Sequence, residues 1–147
     1  MKLLVLSLMV CAAVASCPYQ CDLSWSKYNG RLFKLFTNPS TWVEAQKHCV
    51  SLGGSLASIH IGAENEFVKN LSGSTKAWIG LNDAPQEGEW AWINSNQVDY
   101  INWCRGEPSN WRGNEHCVIL AGTCWSDRKC STLLPYVCVR KNIKSLT

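Results

Sequence analysis

The chain has 147 residues, with 14 Lys or Arg, 11 Asp or Glu and a formal net charge of +3 at pH 7. That balance is too even to imply nucleic acid or an anionic membrane as the partner, and no basic run is visible. The length suits a single domain, and no internal repeat is present.

The first residues have the features of a secretory signal peptide. Lys2 supplies a positive start, residues 3–14 form an apolar run, and residues 13–15 are a small-residue cleavage site. The run is too short to span a bilayer, and no later stretch approaches the ~20 apolar residues that a spanning helix needs. We therefore expect a signal peptide over 1–15 and a secreted, extracellular domain over 16–140. The polar tail over 141–147 is expected to fray.

Cleavage would remove Cys11 and leave an even number of cysteines in the exported chain. Such a number predicts a disulfide framework, although counting alone leaves the pairing open. A zinc site is the competing interpretation, but the cysteines are scattered and only His116 lies close to one of them. The remaining cysteines are Cys17, Cys21, Cys49, Cys104, Cys117, Cys124, Cys130 and Cys138.

The first segments of the exported chain predict a strand followed by a helix. Arg31–Phe36 is a short apolar and aromatic strand that residues 38–40 are expected to end. Thr41 and Glu44 have the spacing of a capping box. The helix that they start has an apolar face, and Gly53-Gly54 ends it. That face consists of Trp42, Ala45, Cys49 and Leu52.

The next segments predict a second helix and most of the strands. Because the helices come first and most strands follow, we expect an α+β fold with an antiparallel sheet. The second helix spans Ala63–Leu71, with Phe67, Val68 and Leu71 inward, and Asn70 begins an Asn-X-Ser glycosylation sequon. The expected strands are Ser55–Ile59, Ala77–Leu81, Glu89–Trp92, Cys117–Ala121, Trp125–Asp127 and Tyr136–Arg140.

The segment Trp103–Cys130 carries four cysteines, three tryptophans and several acids. It has little apolar periodicity before Cys117, so its first part is expected to be a loop. Long loops in compact domains are usually functional or disordered, and this composition argues against disorder. We interpret the segment as a cross-linked loop that presents Glu107, Glu115 and Asp127 to an ion or ligand.

Several short motifs follow one another in a recognisable order. They are the helix ending at Cys49, WIGL at 78–81, EGEWAW at 87–92, Trp103 before a Glu-Pro step, NEHC at 114–117, CWSD at 124–127, and Cys130 with Cys138. In this order and spacing the chain resembles the C-type lectin domain family over nearly all of Cys21 to Val139. The resemblance implies an α+β C-type lectin-like fold with two helices, antiparallel sheets and a long disulfide-tethered loop.

The resemblance also implies disulfide pairs. Two are general to the family, Cys49–Cys138 and Cys117–Cys130. The third, Cys104–Cys124, is similar to a pair in secreted fish lectins and type II fish antifreeze proteins. The family's partner for Cys21 falls at Leu32, so we predict a Cys17–Cys21 bond, with a disulfide-linked dimer as the alternative.

A calcium site is a further implication of the resemblance. Carried over residue by residue, its ligands are Glu107, Ser109, Glu115, Ser126 and Asp127, and the Glu107–Pro108 bond is expected to be cis. Serine replaces the family's asparagine at 109 and 126, so its single hydroxyl has a shorter reach than an amide. We expect calcium to bind weakly, near or beyond the ~10⁻⁴–10⁻³ M typical of extracellular modules.

The same residues would bind the glycan. Glu-Pro-Ser keeps the acceptor Glu107, which favours mannose-type sugars. Trp111 would stack on a sugar ring, or else cover the Cys104–Cys124 bond. A second calcium position maps to Asp83, Glu87, Asn110 and His116, where two acids are replaced, and we expect it to be absent.

Two other functions stay open beside a calcium-assisted lectin. One is an ice-binding protein of the type II antifreeze kind, although that group's additional cysteine pair would fall at Asp83 and His116. The other is a calcium-independent, protein-binding domain. Enzyme activity is not expected, because His48 and His60 have no nucleophile beside them in the sequence. The expected partners are glycans, and self-association into a homo-oligomer stays open.

Overall fold

The structure, a computed structural model, describes residues 24–143. The predicted signal peptide, the predicted Cys17–Cys21 pair and the end of the polar tail lie outside the described residues. The domain bounds 16–140 therefore stay a prediction.

Two helices and eight strands make up the described chain. Within residues 24–143, neither helix has the length and apolarity needed to cross a bilayer. The strands are β1 Ser26–Tyr28, β2 Arg31–Ser40, β3 Ser55–Leu56, β4 Ala77–Asn82, β5 Ala91–Trp92, β6 Cys117–Ala121, β7 Cys124–Arg128 and β8 Leu134–Lys141. The helices are α1 Trp42–Ser51 and α2 Gly62–Ser72, with a short 3-10 turn at Trp111–Gly113.

The strands form one sheet in the order β1-β2-β8-β4-β6-β7, with β3 paired to β8 and β5 paired to β4. Every pairing is antiparallel except that of β4 with β8, which is parallel at Trp78 and Tyr136. The predicted α+β class with two helices and a largely antiparallel sheet is confirmed.

Helix α1 begins as its sequence predicts. The Thr41 hydroxyl accepts from the Glu44 amide at 3.3 Å, and a Glu44 carboxylate oxygen accepts from the Thr41 amide at 3.1 Å. The Thr41 amide and hydroxyl both donate to the Glu44 carboxylate, and these two hydrogen bonds lower the pKa of Glu44. The predicted apolar face is buried at Trp42, Ala45 and Cys49. Cys49 is bonded to Cys138, so α1 is tied covalently to β8.

Helix α2 adds buried polar contacts that its apolar pattern does not indicate. Val68 is buried, and Phe67 and Leu71 pack partly against the core, as predicted. Glu64 is buried in an ion pair with Arg31. Asn65 accepts from the Trp125 indole N–H at 2.8 Å. This hydrogen bond anchors β7, which carries part of the candidate site, to a helix. Asn70 is exposed on α2, and its glycosylation stays a prediction.

Strand β2 continues through residues 38–40, so the prediction that they end it was wrong. Its pairing with β8 shifts register between Phe36 and Ser40, and its pairing with β1 stops at Phe33. Pro39 therefore lies where the ladder is already interrupted, which is where a strand tolerates proline. The predicted strand at Ser55–Ile59 is shorter, and its residue Ala57 still donates to the Val137 carbonyl at 2.8 Å.

Three disulfides cross-link the described chain: Cys49–Cys138, Cys104–Cys124 and Cys117–Cys130. They are the pairs that the resemblance implies. Their sequence separations are 89, 20 and 13 residues respectively. In the chain-entropy model the stabilisation by a cross-link grows with the length of the loop that it closes.

We therefore expect Cys104→Ser/Cys124→Ser to lose about 3 kcal/mol of unfolding free energy, because it frees a loop of intermediate length. Cys49→Ser/Cys138→Ser should lose about 1 kcal/mol more, and Cys117→Ser/Cys130→Ser slightly less. Denaturant unfolding of the three variants beside the wild type measures this order. Equal losses would show that loop closure is not the main contribution of these bonds.

Candidate functional site

The candidate site lies where the long loop, residues 93–116, which joins β5 to β6, meets strand β7. Trp125 holds the middle of this loop: it donates to the Asn102 carbonyl and accepts from the Cys104 amide, both at 2.8 Å. The Cys104–Cys124 disulfide fixes the same point covalently. Trp103 packs its ring edge-on against the ring of Trp125. The loop is therefore fixed to β7 immediately before its acidic residues.

Asp127 shapes the next part of the loop. It is 0% exposed on β7, and its two carboxylate oxygens accept from the backbone amides of Ser109 at 2.9 Å and Asn110 at 2.7 Å. The Glu107–Pro108 peptide bond before these residues is cis. Burial would raise the pKa of Asp127, but hydrogen bonds from Glu107, Ser109 and Asn110 outweigh it and lower that pKa.

Glu115 closes the loop from the other side. One of its carboxylate oxygens accepts from the Ser109 hydroxyl at 2.9 Å and from the Trp111 amide at 3.0 Å. The Ser109 hydroxyl is also 3.5 Å from an Asp127 oxygen, so it lies between the two acids. The backbone turns sharply here, with positive φ angles at Asn110 and Arg112.

Glu107 is the acid with unsatisfied hydrogen-bonding capacity. Its Oε2 atom is buried and has no hydrogen-bond partner among residues 24–143. Burial and then the neighbouring Asp127 raise the pKa of Glu107. Two carboxylates therefore meet at a partly buried point, and one of them keeps its proton at a higher pH than an ordinary glutamate does.

Ser126 is buried beside these acids, and a cation already touches it. The Arg128 guanidinium donates to the Ser126 hydroxyl at 2.5 Å and to the Asp127 carbonyl at 2.7 Å. Any ion that uses the Ser126 oxygen must compete with this guanidinium. Trp111 lies at the outer side of the site, 54% exposed, with the Arg112 guanidinium 4.2 Å from its ring centre.

The donor set fits a calcium ion in its chemistry. Calcium takes six to eight oxygen ligands and favours carboxylates. Glu115 and Asp127 share a hydrogen-bonded network with Ser109, and Glu107 lies against Asp127. The Glu107 oxygen that lacks a partner among residues 24–143 is available for a cation. Two features oppose that fit: serine stands at 109 and 126 in place of the family's asparagine, and the Arg128 guanidinium already binds Ser126. The structure thus brings together the five residues assigned as ligands, and their role in ion binding stays a prediction.

A second group of ligand-type side chains lies beside the first. Asp83, Glu87 and His116 each place one ligand atom within 4.8 Å of the others. Asn110, the fourth residue of the expected second calcium position, accepts from the Glu115 amide at 3.3 Å instead. The absence of calcium binding here also stays a prediction.

A third cluster, Ser58, His60 and Asp99, is not indicated by the sequence. The His60 ring is 2.7 Å from the Asp99 carboxylate and 3.1 Å from the Ser58 hydroxyl, an arrangement like that of a hydrolase triad. Ser58 is nevertheless fully buried, and its oxygen accepts from Arg31 at 2.8 Å and Asn94 at 2.9 Å. Ser58 and His60 are two residues apart, but Asp99 lies in the long loop, so only the fold reveals the network. Its contacts are those of a structural network rather than of a nucleophile.

Comparison with known proteins identifies the class. The chain belongs to the C-type lectin domain family: the family model for the lectin C-type domain matches residues 38–140. This is a non-enzymatic family, which agrees with the burial of Ser58.

Individual relatives include lectins and an antifreeze protein. Ladderlectin of Oncorhynchus mykiss is 35% identical, covering 85% of this chain and 70% of its own length. The C-type lectin BfL-2 of Bungarus fasciatus is also 35% identical, covering 92% of each. Among solved structures, herring type II antifreeze protein has a TM-score of 0.77 at 33% identity, covering 86% of this chain and 99% of its own. The carbohydrate-recognition domain of cow CD23 has a TM-score of 0.78 at 32% identity, covering 86% and 97%.

The Glu107 carboxyl makes the stability of the fold depend on pH. Its raised pKa means that the folded state disfavours its ionised form, so without a cation stability falls as pH rises through that pKa. Glu107→Gln should therefore raise Tm at pH 7 in chelator by roughly 2–5 °C, and the gain should vanish in acid where the wild-type side chain is protonated. Thermal melts across pH measure this difference.

Glu66→Gln is the matched control, because Glu66 is exposed on α2, where it pairs with Lys69. A Glu107→Gln variant that melts below the wild type in chelator at neutral pH would contradict the assignment.

Proposed function

We propose that the protein is a secreted lectin that binds glycans through the long loop and β7, with calcium as the assisting ion. The observation that carries this proposal is the buried, unpartnered Glu107 oxygen beside the Asp127 carboxylate. Such a pair is costly without a cation and favourable with one. The proposed ligands of the ion are Glu107, Ser109, Glu115, Ser126 and Asp127. Calcium supplies the positive charge that attracts sugar hydroxyl oxygens.

The side chains around the ion have separate roles in glycan binding. The carboxylates of Glu107 and Glu115 accept hydrogen bonds from sugar hydroxyls. The Ser109 hydroxyl donates its single proton to Glu115 in the free protein and would redirect it to a sugar oxygen. Trp111 offers an exposed indole face on which the apolar side of a sugar ring can pack. Mannose-type sugars are favoured because the acceptor Glu107 is present. In support, the similar cow CD23 domain was crystallised in the presence of a GlcNAc2Man3 oligosaccharide.

Secretion and self-association belong to the same proposal. The signal-peptide features of residues 1–15 and the lectin relatives support export. A similar receptor domain, Kupffer cell Clec4f, has a solved trimeric structure with a TM-score of 0.76 and 31% identity. A single weak site gains strength when several copies act together, which is why a homo-oligomer would suit this function.

Ice binding is the second candidate, and the likeness to herring type II antifreeze protein favours it. Asp83 and His116 stand at the position of that group's additional cysteine pair. Asp83 Oδ1 is 3.0 Å from His116 Nδ1. Thermal hysteresis of the purified protein tests this alternative.

A calcium-independent, protein-binding domain is the third candidate, and the contact of Arg128 with Ser126 is the observation that favours it.

The central test is a glycan array probed with and without chelator. We expect binding to mannose-type glycans that chelator abolishes, because the proposed ligands would hold the ion whose charge attracts the sugar hydroxyl oxygens. Glu115→Gln should weaken glycan binding at least about tenfold, since it removes a charged ligand and a hydrogen-bond acceptor.

Ser109→Asn should tighten calcium binding in a calorimetric titration by restoring an amide oxygen.

Glu66→Gln is again the control and should bind as the wild type does. Glycan binding that persists in chelator would reject calcium assistance but keep the lectin assignment. No binding to any glycan, with Tm unchanged by calcium, would favour the protein-binding or ice-binding alternative.

A further inference from the structure

The group formed by Asp83, Glu87 and His116 lies at the end of β4 and the start of β6. Asn82 and Cys117 are paired residues of these two strands. The Asp83 amide donates to the His116 carbonyl at 3.0 Å, which extends the pairing by one step. Two of the three side chains are therefore held side by side by the sheet itself, and not by a mobile loop.

The turn after β4 brings the third side chain in. The backbone carbonyl of Asp83 accepts from the Gln86 amide at 3.0 Å, and the side-chain Oδ2 atom of Asp83 accepts from the Gly88 amide at 2.8 Å. Gly88 has φ near +80°, a conformation that glycine adopts without steric cost. These bonds fold the turn over Asp83 and place Glu87 opposite His116.

All three ligand atoms lie within 4.8 Å of one another, and two of their separations match those of a metal site. His116 Nδ1 is 3.0 Å from Asp83 Oδ1 and 3.1 Å from Glu87 Oε2. Ligands at about 2.0–2.1 Å from one zinc ion lie about 2.9–3.4 Å from each other at octahedral to tetrahedral angles. Small movements of these three side chains would therefore complete one side of a coordination shell.

Charge also favours a cation at this point. Asp83 is 0% exposed, whereas the Glu87 side chain is 53% exposed and that of His116 29%. Partial desolvation raises the pKa of Glu87, and a hydrogen bond with Asp83 and repulsion between the two acids raise it further. Two carboxylates share a single imidazole partner, so a divalent ion would neutralise the excess negative charge.

We propose that Asp83, Glu87 and His116 bind a divalent transition-metal ion, with zinc as the expected ion. An imidazole nitrogen suits zinc, whereas calcium selects oxygen ligands. Three protein ligands leave a position for water or for an incoming ligand atom. The exposed edge at Glu87 provides the entry path. This site does not depend on the proposed glycan binding, because it shares none of its side-chain ligands.

Calorimetric titration of the purified protein with zinc tests the proposal, supported by the visible absorption of bound cobalt. We expect one zinc per chain, and a loss of at least about tenfold in affinity for His116→Gln, with loss of the cobalt spectrum of a nitrogen-ligated site. His60→Gln is the matched control: His60 also contacts a carboxylate, Asp99 at 2.7 Å, and should have no effect.

Further variants keep the test decisive if His116→Gln does not fold. Glu87→Gln changes a largely exposed side chain and should weaken zinc at least about tenfold without lowering Tm in chelator. His116→Asp should shift the preference from zinc toward calcium. Equal zinc affinity in the wild type and Glu87→Gln would overturn the proposal. So would a loss of zinc binding caused by Glu107→Gln, because the ion would then occupy the glycan site.

Discussion

The buried carboxylate of Asp127 determines the conformation of the candidate site. Both of its oxygens accept backbone amide hydrogen bonds, from Ser109 and Asn110, so it orients the loop immediately after the Glu-Pro step. Asp127 can do this because β7 is paired residue by residue with β6. Hydrogen bonds to a charged group are stronger than those between neutral groups, and they strengthen further away from water. One acid thus acts as a structural acceptor as well as a candidate ligand.

The supports of β7 explain why so irregular a loop can be held in one conformation. The Trp125 indole is fully buried and bonded to Asn65 of α2, while its backbone binds Asn102 and Cys104 of the loop. The Cys104–Cys124 disulfide adds a covalent constraint at the same place. Hydrophobic burial, hydrogen bonds and a cross-link therefore act at one junction between helix, strand and loop.

Local patterns predicted the regular elements well. The Thr41–Glu44 capping box and the apolar face of α1 depend on residues within a few positions, so spacing alone reveals them. The order of the motifs, through family resemblance, also indicated the disulfides and the acids of the site. The extension of β2 past Pro39 depends on where β1 stops, and the contact of Arg128 with Ser126 depends on side-chain direction. The Ser58, His60 and Asp99 network joins separate segments, and no local pattern encodes it.

Backbone amides of the loop itself donate hydrogen bonds to the acids of the candidate site. Ser109, Asn110 and Trp111 donate their amides to Asp127 and Glu115. An ion that binds here would therefore meet a loop that is already held in one conformation, and little backbone entropy would be lost when the ion binds. Under the proposed calcium-assisted function, a change in the calcium concentration around the protein would alter the charge that a ligand meets, while the shape of the recognition surface stayed the same.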